Sequence, residues 1–167
     1  QGSDLVNNRA IDSTVNVFFS GNRFFDNGAG TVILGGISSN ATQSNGNTVN
    51  LEAHGDHFFN NTTPNPFDVG GLIVLGGENI SVPNGANNNT VHVSLWGCRY
   101  SGNGRADLYV VGARSNPGSI GSPGVNNHVT IEIHGEGSKK GRWQPVEFIQ
   151  DFIPDFPFNN NTVTVIR

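Results

Sequence analysis

The sequence is poor in cysteine, methionine and charged residues. Its 167 residues include one cysteine, no methionine and 13% charged residues, with a formal net charge of −4. The single Cys98 excludes an intramolecular disulfide framework, and the lack of a Lys/Arg block makes nucleic acid and anionic membrane surfaces poor partners. The longest apolar runs are only about four residues, far short of a bilayer span. We therefore expect neither nucleic-acid binding nor membrane insertion.

Asparagine and glycine are the commonest residues, with 24 and 23 copies. Both tolerate left-handed backbone conformations at tight turns, so the chain is expected to turn often. The apolar stretches between turns are rich in Val, Ile, Leu and Phe, which favours strands, and no segment keeps a helical period. The composition predicts an all-β protein, and the length fits a single domain over residues 1–167.

One phrase recurs along the chain. The copy NNNTVHVSLWG (87–97) has counterparts in DSTVNVFFSG (12–21), GNTVNLEAHG (46–55), NNHVTIEIHG (126–135) and NNNTVTVIR (159–167). A short second strand, as in NRFFDN, and an apolar third strand, as in LIVLGG, follow the phrase in the repeat unit. The insertions fall in the loops. The anchor valines of the phrase are Val15, Val49, Val91, Val129 and Val163. Successive valines are 34, 42, 38 and 34 residues apart.

Three short strands per unit, repeated in the same order, are typical of a β-solenoid. Each strand then pairs with its copy in the next unit, about 4.8 Å away, so that like residues stack on like. A β-sandwich or jelly roll is the alternative, although it does not require strand sequences to repeat in order. Beside the valine column, we expect an aromatic column of Phe24, Phe58 and Tyr100 and a ladder of hydrogen-bonded amides from Asn27, Asn61 and Asn103.

With these repeats, the chain resembles the right-handed parallel β-helix superfamily, the architecture of pectate-lyase-like proteins. The resemblance covers essentially the whole chain and implies about four coils of three short strands. Within residues 147–167, the aromatic and proline-rich stretch EFIQDFIPDFPF (147–158) is a candidate cap for the C-terminal end. Pectate-lyase-like enzymes cluster Asp ligands for calcium near an Arg. Because Asp26 and Asp56 fall in different columns, the resemblance assigns no catalytic residue.

The outward positions of the first strand carry polar and aromatic side chains. Glu52 and Glu132 lie two strands apart, about 9.6 Å, at the upper end of the carboxylate separation in inverting glycosidases, which makes them catalytic candidates. An indole can serve as a stacking platform for a sugar, and the neighbouring cationic groups can bind acidic substituents. The alternative is a solvated sheet face. The candidate ligand-binding residues are Trp96, His54, His92, Arg99 and His134.

No metal site and no cofactor are predicted. His54 and His92 fall on neighbouring units but in different columns, and no Cys/His spacing motif occurs. Zinc needs three or four convergent ligands, which this pattern does not supply. Cys98 has no His-Cys dyad around it in the sequence, so we expect a structural thiol rather than a nucleophile.

The third strand of the unit is apolar on both faces, which usually means that both faces are covered. Either the long closing loops fold over its outer face or another chain does. A bare apolar stripe would mark an interaction site. The residues that we predict for a homo-oligomer or partner interface are Val32, Leu34, Ile73, Leu75, Tyr109 and Val111.

Two functional hypotheses follow from the sequence. The first is a non-catalytic secreted or cell-surface β-solenoid, a structural or binding module that self-associates or holds a polysaccharide. The second is a carbohydrate-active enzyme, a polysaccharide lyase or glycoside hydrolase, that works on the outward face of the first strand. Convergence of the candidate carboxylates and histidines in one groove would favour the enzyme. A face open to solvent would favour the binding module.

Overall fold

The computed structural model describes residues 10–27, 30–38, 44–62, 70–79, 86–104, 106–115, 124–135, 147–151 and 160–167. Every regular element in these segments is a strand, and none of them contains a helix. The prediction of an all-β protein is therefore confirmed. The pairing of the strands is parallel in every sheet.

The strands follow a recurring order, in which a strand of seven residues, one of three and one of four or ten follow one another three times between Thr14 and Ser115. Where the chain is described, they are β1 (Ala10–Ile11), β2 (Thr14–Ser20), β3 (Arg23–Phe25), β4 (Thr31–Leu34), β5 (Ile37–Ser38), β6 (Ser44–Asn45), β7 (Thr48–His54), β8 (His57–Phe59), β9 (Gly70–Asn79), β10 (Thr90–Trp96), β11 (Arg99–Ser101), β12 (Ala106–Ser115), β13 (His128–His134), β14 (Glu147–Asp151) and β15 (Thr162–Ile166).

The recurring phrase forms one five-stranded sheet. Its strand order is β15, β13, β10, β7, β2, so each strand lies beside the copy from the neighbouring unit. The register aligns equivalent residues without a shift. The predicted valine column is confirmed, because the aligned residues are Val15, Val49, Val91, Val129 and Val163.

Two further sheets take the other strands of the repeat. The second strands form a three-stranded sheet in the order β11, β8, β3, and the third strands form a sheet in the order β14, β12, β9, β4, with β5 also paired to β9. A two-stranded sheet of β1 and β6 was not predicted. Within the candidate cap at 147–158, Glu147–Asp151 is a strand paired with β12, and the cap itself stays a prediction. Residues 152–159 lie outside the described residues.

β9 and β12 are ten residues long and extend at both ends beyond the six-residue third strands predicted from the sequence, with glycines in their interior. A Cβ atom built on Gly76 would contact the carbonyl oxygen of Gly112 on the neighbouring strand and would lie 2.9 Å from the Cβ of Asn127. Only glycine fits this close approach. The glycines thus let neighbouring backbones and the asparagine side chains behind them pack tightly.

Side chains from the three larger sheets share one core. The aromatic column is confirmed, since the rings of Phe24 and Phe58 stack at 4.8 Å and those of Phe58 and Tyr100 at 5.3 Å. Inward residues alternate with outward ones along the strands, as expected for a sheet with one buried face. The core also includes Val49, Leu51, Val91, Val93, Val129, Ile131, Leu72, Val74, Leu108 and Val110.

A second core lies on the opposite face of the sheet that contains β9 and β12. It corrects the predicted interface, because five of the six proposed interface residues are buried and Val32 packs against them. The chain itself covers this stripe, so its apolar side chains are not a surface for a second copy or another partner. The members of this second core are Leu34, Ile73, Leu75, Tyr109 and Val111, with Val32 and Ile37 at its edge.

Left-handed backbone residues mark the same three points of the repeat. One point precedes the strand of the five-stranded sheet, the second follows it, and the third follows the strand of the three-stranded sheet. Most L-residues are strained there, whereas Gly, Asn and Asp visit the region readily, which explains the composition. The residues are Asp12, Gly46, Asn88, Asn126 and Asn160 at the first point, Gly21, Gly55, Gly97 and Gly135 at the second, and Asp26, Asn60 and Gly102 at the third.

Asparagine amides are stacked at two of these points. The predicted ladder of Asn27, Asn61 and Asn103 is confirmed: the Nδ2 of Asn27 donates to the Oδ1 of Asn61 at 3.2 Å, and the Nδ2 of Asn61 donates to the Oδ1 of Asn103 at 3.0 Å. The main-chain N–H groups of Asn27 and Asn61 donate to the same oxygens. Each amide therefore satisfies both a side chain and a backbone group of its neighbour.

A second and more deeply buried stack precedes the strands of the five-stranded sheet and was not predicted. The Oδ1 of Asn127 accepts hydrogen bonds from the main-chain N–H of Asn89 at 3.0 Å and from its Nδ2 at 2.9 Å. The Oδ1 of Asn89 accepts the same two bonds from Asn47. The sequence did not reveal it because an Asn before Thr also fits an exposed turn. The buried members are Asn47, Asn89, Asn127 and Asn161.

Asp56 takes the inward position at the second left-handed point, after the strand of the five-stranded sheet. Its carboxylate is less completely hydrogen-bonded there than the stacked asparagines are at the other two points. Its side chain is fully buried, and its Oδ1 accepts from the main-chain N–H of Asn22 at 2.7 Å and from its Nδ2 at 3.0 Å. Among the described residues, its Oδ2 has no hydrogen-bond partner. A buried acceptor without a donor costs about 1–3 kcal/mol. In the Asn27 ladder, the atom equivalent to Asp56 Oδ2 is the Nδ2 of Asn61, which donates to the carbonyl oxygen of Phe24.

We expect Asp56→Asn to stabilise the protein by about 1–3 kcal/mol. The new Nδ2 would face the carbonyl of Phe19, which precedes residue 56 by the same 37 positions that separate Asn61 from Phe24. The free energy of unfolding in urea measures the change. Asp26→Asn is the matched control at an exposed position and should stay within about 0.5 kcal/mol of the parent. A loss of stability in Asp56→Asn would contradict the assignment.

Candidate functional site

The outward face of the five-stranded sheet brings the predicted site residues into rows that cross the strands. In register, one row aligns Ser20, His54, Trp96 and His134, and the next aligns Phe18, Glu52, Ser94 and Glu132. His92 lies on the same face, in a third row with Asn50 and Thr130. The face is solvent-exposed at several large side chains, including Phe18 at 64% and Trp96 at 43%.

The indole of Trp96 lies between two imidazoles. The ring of His54 on β7 is parallel to it within 2° at 5.9 Å, and the ring of His134 on β13 is within 14° at 3.8 Å. Because β7 and β13 flank β10 on opposite sides, an imidazole lies beside each face of the indole. Trp96 is 43% exposed, and its role as a stacking platform for a sugar stays a prediction.

Both candidate carboxylates bind the histidine two residues further along their own strand. Glu52 Oε1 lies 2.7 Å from His54 Nε2, and Glu132 Oε2 lies 3.2 Å from His134 Nε2. The side chains of Glu52 and Glu132 are 56% and 42% exposed. Ser94 separates the two carboxylates in the register. The two pairs thus act as matching hydrogen-bonded units on either side of Trp96 and lie open to solvent.

Arg99 lies outside this face, because it begins β11 in the three-stranded sheet. There it aligns with His57 and Arg23 in one row. These three residues occupy equivalent positions of the repeat. The aromatic contacts of Arg23 and His57 were not predicted. The guanidinium of Arg23 lies 5.0 Å from the ring centre of Phe59, the imidazole of His57 lies 4.4 Å from the same ring, and Phe59 stacks on Phe25 at 5.1 Å.

The electrostatics of this row are set by its cations. The pKa of His57 is lowered by partial burial and then by the positive charges of Arg23 and Arg99. His57 Nε2 is 3.1 Å from Ser101 Oγ, which orients the ring. Among the described residues, neither arginine forms an ion pair. The row therefore carries positive charge without a carboxylate to balance it.

Cys98 lies in the interior beside this surface. Its Sγ donates to the carbonyl oxygens of Ala53 at 3.5 Å and Trp96 at 3.9 Å, and burial raises the pKa of the thiol. Burial also raises the pKa of Tyr100 well above its ordinary value, with further contributions from Cys98, Asp107 and Asp56. A thiol held protonated in this way is a poor nucleophile.

Within the described segments, no group of three or more His, Cys, Asp or Glu side chains is arranged to hold a metal ion. The predicted candidates His54 and His92 are in different rows of the sheet, as the sequence indicated. The same segments contain no helix long and apolar enough to span a membrane.

In comparisons with known proteins, no family model, curated protein or solved structure matches this chain.

Proposed function

We propose that the chain is a right-handed parallel β-helix of about four coils. Three observations support this architecture. Equivalent strands pair in parallel and in register in each of the larger sheets. Left-handed residues recur at the same three points of the repeat. Side chains of all three sheets meet in one core. The recurring corners then stack, and the outward rows run along the axis of the helix.

We infer that this β-helix is a non-catalytic, secreted or cell-surface binding module whose ligand is a polysaccharide. The observation that carries the proposal is the Trp96 row, the stacked rings of His54, Trp96 and His134, with the Phe18 ring of the next row against His54. Similar groups repeated at one strand spacing, about 4.8 Å, fit a ligand that is itself periodic. The indole carries an N–H donor, and Glu52 and Glu132 offer acceptors for sugar hydroxyls.

A carbohydrate-active enzyme is the second proposal. Glu52 and Glu132 lie on one face, and two strand spacings of about 4.8 Å place their backbones near the upper end of the inverting carboxylate separation. Both carboxylates are exposed and already bound to a histidine. A general acid normally needs a less solvated site that raises its pKa. The geometry thus favours binding over hydrolysis.

The test is depletion of the protein by a panel of insoluble polysaccharides, with release of shortened or unsaturated sugars followed in the same tubes. We expect binding without release, and a loss of affinity of about tenfold or more in Trp96→Ala. Ile11→Ala is the control, because Ile11 is an equally large exposed apolar residue, at 47%, and lies in the two-stranded sheet away from this face. Product release that Glu52→Gln or Glu132→Gln abolishes would establish the enzyme. Neither depletion nor product release with any polysaccharide would refute both proposals.

A further inference from the structure

A second outward surface lies across the corner from the Trp96 row, on the three-stranded sheet. Its row of Arg23, His57 and Arg99 repeats once per strand, as the Trp96 row does. The two rows are separated along each strand pair by only a glycine and one inward residue, such as Gly55 and Asp56 between His54 and His57. A ligand chain that follows one row therefore passes beside the other.

We propose that Arg23 and Arg99, with the His57 imidazole between them, bind the oxyanion substituents, carboxylate or sulfate, of an anionic polysaccharide. This inference rests on the proposed polysaccharide-binding function and names the class of ligand. Guanidinium groups bind oxyanions through charge-assisted hydrogen bonds that are about twice as strong as neutral ones. An imidazole between two guanidinium groups gains a proton as a bound anion neutralises their field.

Arg23 and His57 are held in place by neighbouring side chains. Phe59 contacts both the Arg23 guanidinium and the His57 ring, and the Ser101 hydroxyl binds His57 Nε2. Such contacts orient the cationic groups before a ligand arrives, which lowers the entropy cost of binding. An exposed arginine that served only solubility would not need an aromatic ring beneath it. It would also not need a second arginine aligned with it two strands away.

The charged groups on the elements that surround His57 favour the binding of an anion. β3 contributes Arg23 and β11 contributes Arg99, and both lower the pKa of His57. Asp56, the preceding residue, points into the interior, where its Oδ1 is bonded to Asn22. On β7, Glu52 is bonded to His54. No described carboxylate is thus within ion-pair distance of the row.

The sign of the pH dependence follows from the same field. In the free protein, the His57 pKa is depressed, so the ring is neutral near neutral pH. A bound oxyanion offsets the field of the two arginines and raises that pKa. Binding is therefore coupled to the uptake of a proton, and the affinity should rise as the pH falls from the His57 pKa of the complex towards that of the free protein and level off below it.

The experiment is an NMR titration of His57 in the full chain with inorganic sulfate, beside sodium chloride at matched ionic strength to remove screening. We expect sulfate alone to move the His57 midpoint upward, and this shift to vanish in the double variant Arg23→Gln/Arg99→Gln. Arg167→Gln, at an exposed arginine that follows β15, should keep the shift. An unchanged His57 midpoint in the parent protein would overturn the proposal.

Polymer-binding assays distinguish oxyanion binding by Arg23, His57 and Arg99, the oxyanion row, from the proposed polysaccharide-binding function. We expect sulfated and carboxylated polysaccharides to bind more tightly than uncharged dextran, and each arginine variant to lose roughly tenfold of that affinity. If sulfate shifts His57 but no polymer binds, the oxyanion row stands and the polysaccharide function fails. If dextran binds as well as the anionic polymers and sulfate leaves His57 unchanged, the function stands and the oxyanion row fails.

Discussion

Replacement of Asn127 by alanine should remove about 3–5 kcal/mol from the free energy of unfolding. The Asn127 side chain is fully buried. Its Oδ1 is the acceptor for both the main-chain N–H and the Nδ2 of Asn89, and its own Nδ2 donates to the Ala86 carbonyl oxygen at 2.9 Å. Alanine keeps the Cβ but leaves two buried donors and one carbonyl without these bonds, each of which costs about 1–3 kcal/mol. Equilibrium unfolding in urea gives the change.

The matched control is Asn16→Ala. Asn16 also accepts a hydrogen bond from an asparagine one repeat away, since the Nδ2 of Asn50 lies 2.8 Å from its Oδ1, but this pair is exposed. Water can replace a lost partner there, so the control should cost no more than about 0.5 kcal/mol. If the two variants cost the same, burial of the asparagine stack does not contribute to stability and this account of the fold is wrong.

Recurrence in the sequence was enough to predict the pairing register, because a residue that stacks on its own copy is constrained at every repeat. The anchor column from Val15 to Val163 and the Asn27 ladder were predicted for this reason. The length of β9 was not. The third strand was predicted as LIVLGG (72–77), whereas β9 extends over Gly70–Asn79. Within it, Gly76 serves a close approach to Gly112. The repeat pattern located the strand but did not reveal how far the pairing continues beyond its apolar residues.

Burial of the outer face of β9 and β12 could not be predicted either. Ile73 and Val111 look the same in sequence whether a loop or a second chain covers them. The sequences between the strands do not repeat, so no stacking argument applied to them. The structure shows that the chain itself buries both side chains. An apolar stripe in a repeat therefore predicts a cover but not its source.

The candidate site, too, was predicted only in part from the sequence. Strand alternation predicted which residues share the outward face, including Glu52, Trp96 and Glu132. It did not predict contacts that depend on side-chain direction. The imidazoles beside Trp96 and the Phe59 ring beneath Arg23 come from rotamers chosen across neighbouring strands, which a linear pattern does not encode.

The buried ion pair of Glu78 and Arg114 should give the other large effect. Arg114 Nε and Nη2 lie 2.8 and 2.7 Å from Glu78 Oε1 across β9 and β12, with side chains 18% and 9% exposed for Arg114 and Glu78. Arg114→Met would leave the Glu78 carboxylate buried without its cation. Loss of one partner of a buried pair costs about 3–5 kcal/mol, and we expect a loss in that range by urea unfolding.

A double-mutant cycle tests whether the cost comes from the stranded charge. The double variant Glu78→Gln/Arg114→Met carries no uncompensated charge, so it should recover more than half of the stability lost in Arg114→Met. Glu52→Gln is the exposed counterpart, since Glu52 pairs with His54 at the surface, and it should cost less than about 1 kcal/mol. If the double variant is no more stable than Arg114→Met, the arginine stabilises β9 and β12 by packing rather than by neutralising Glu78.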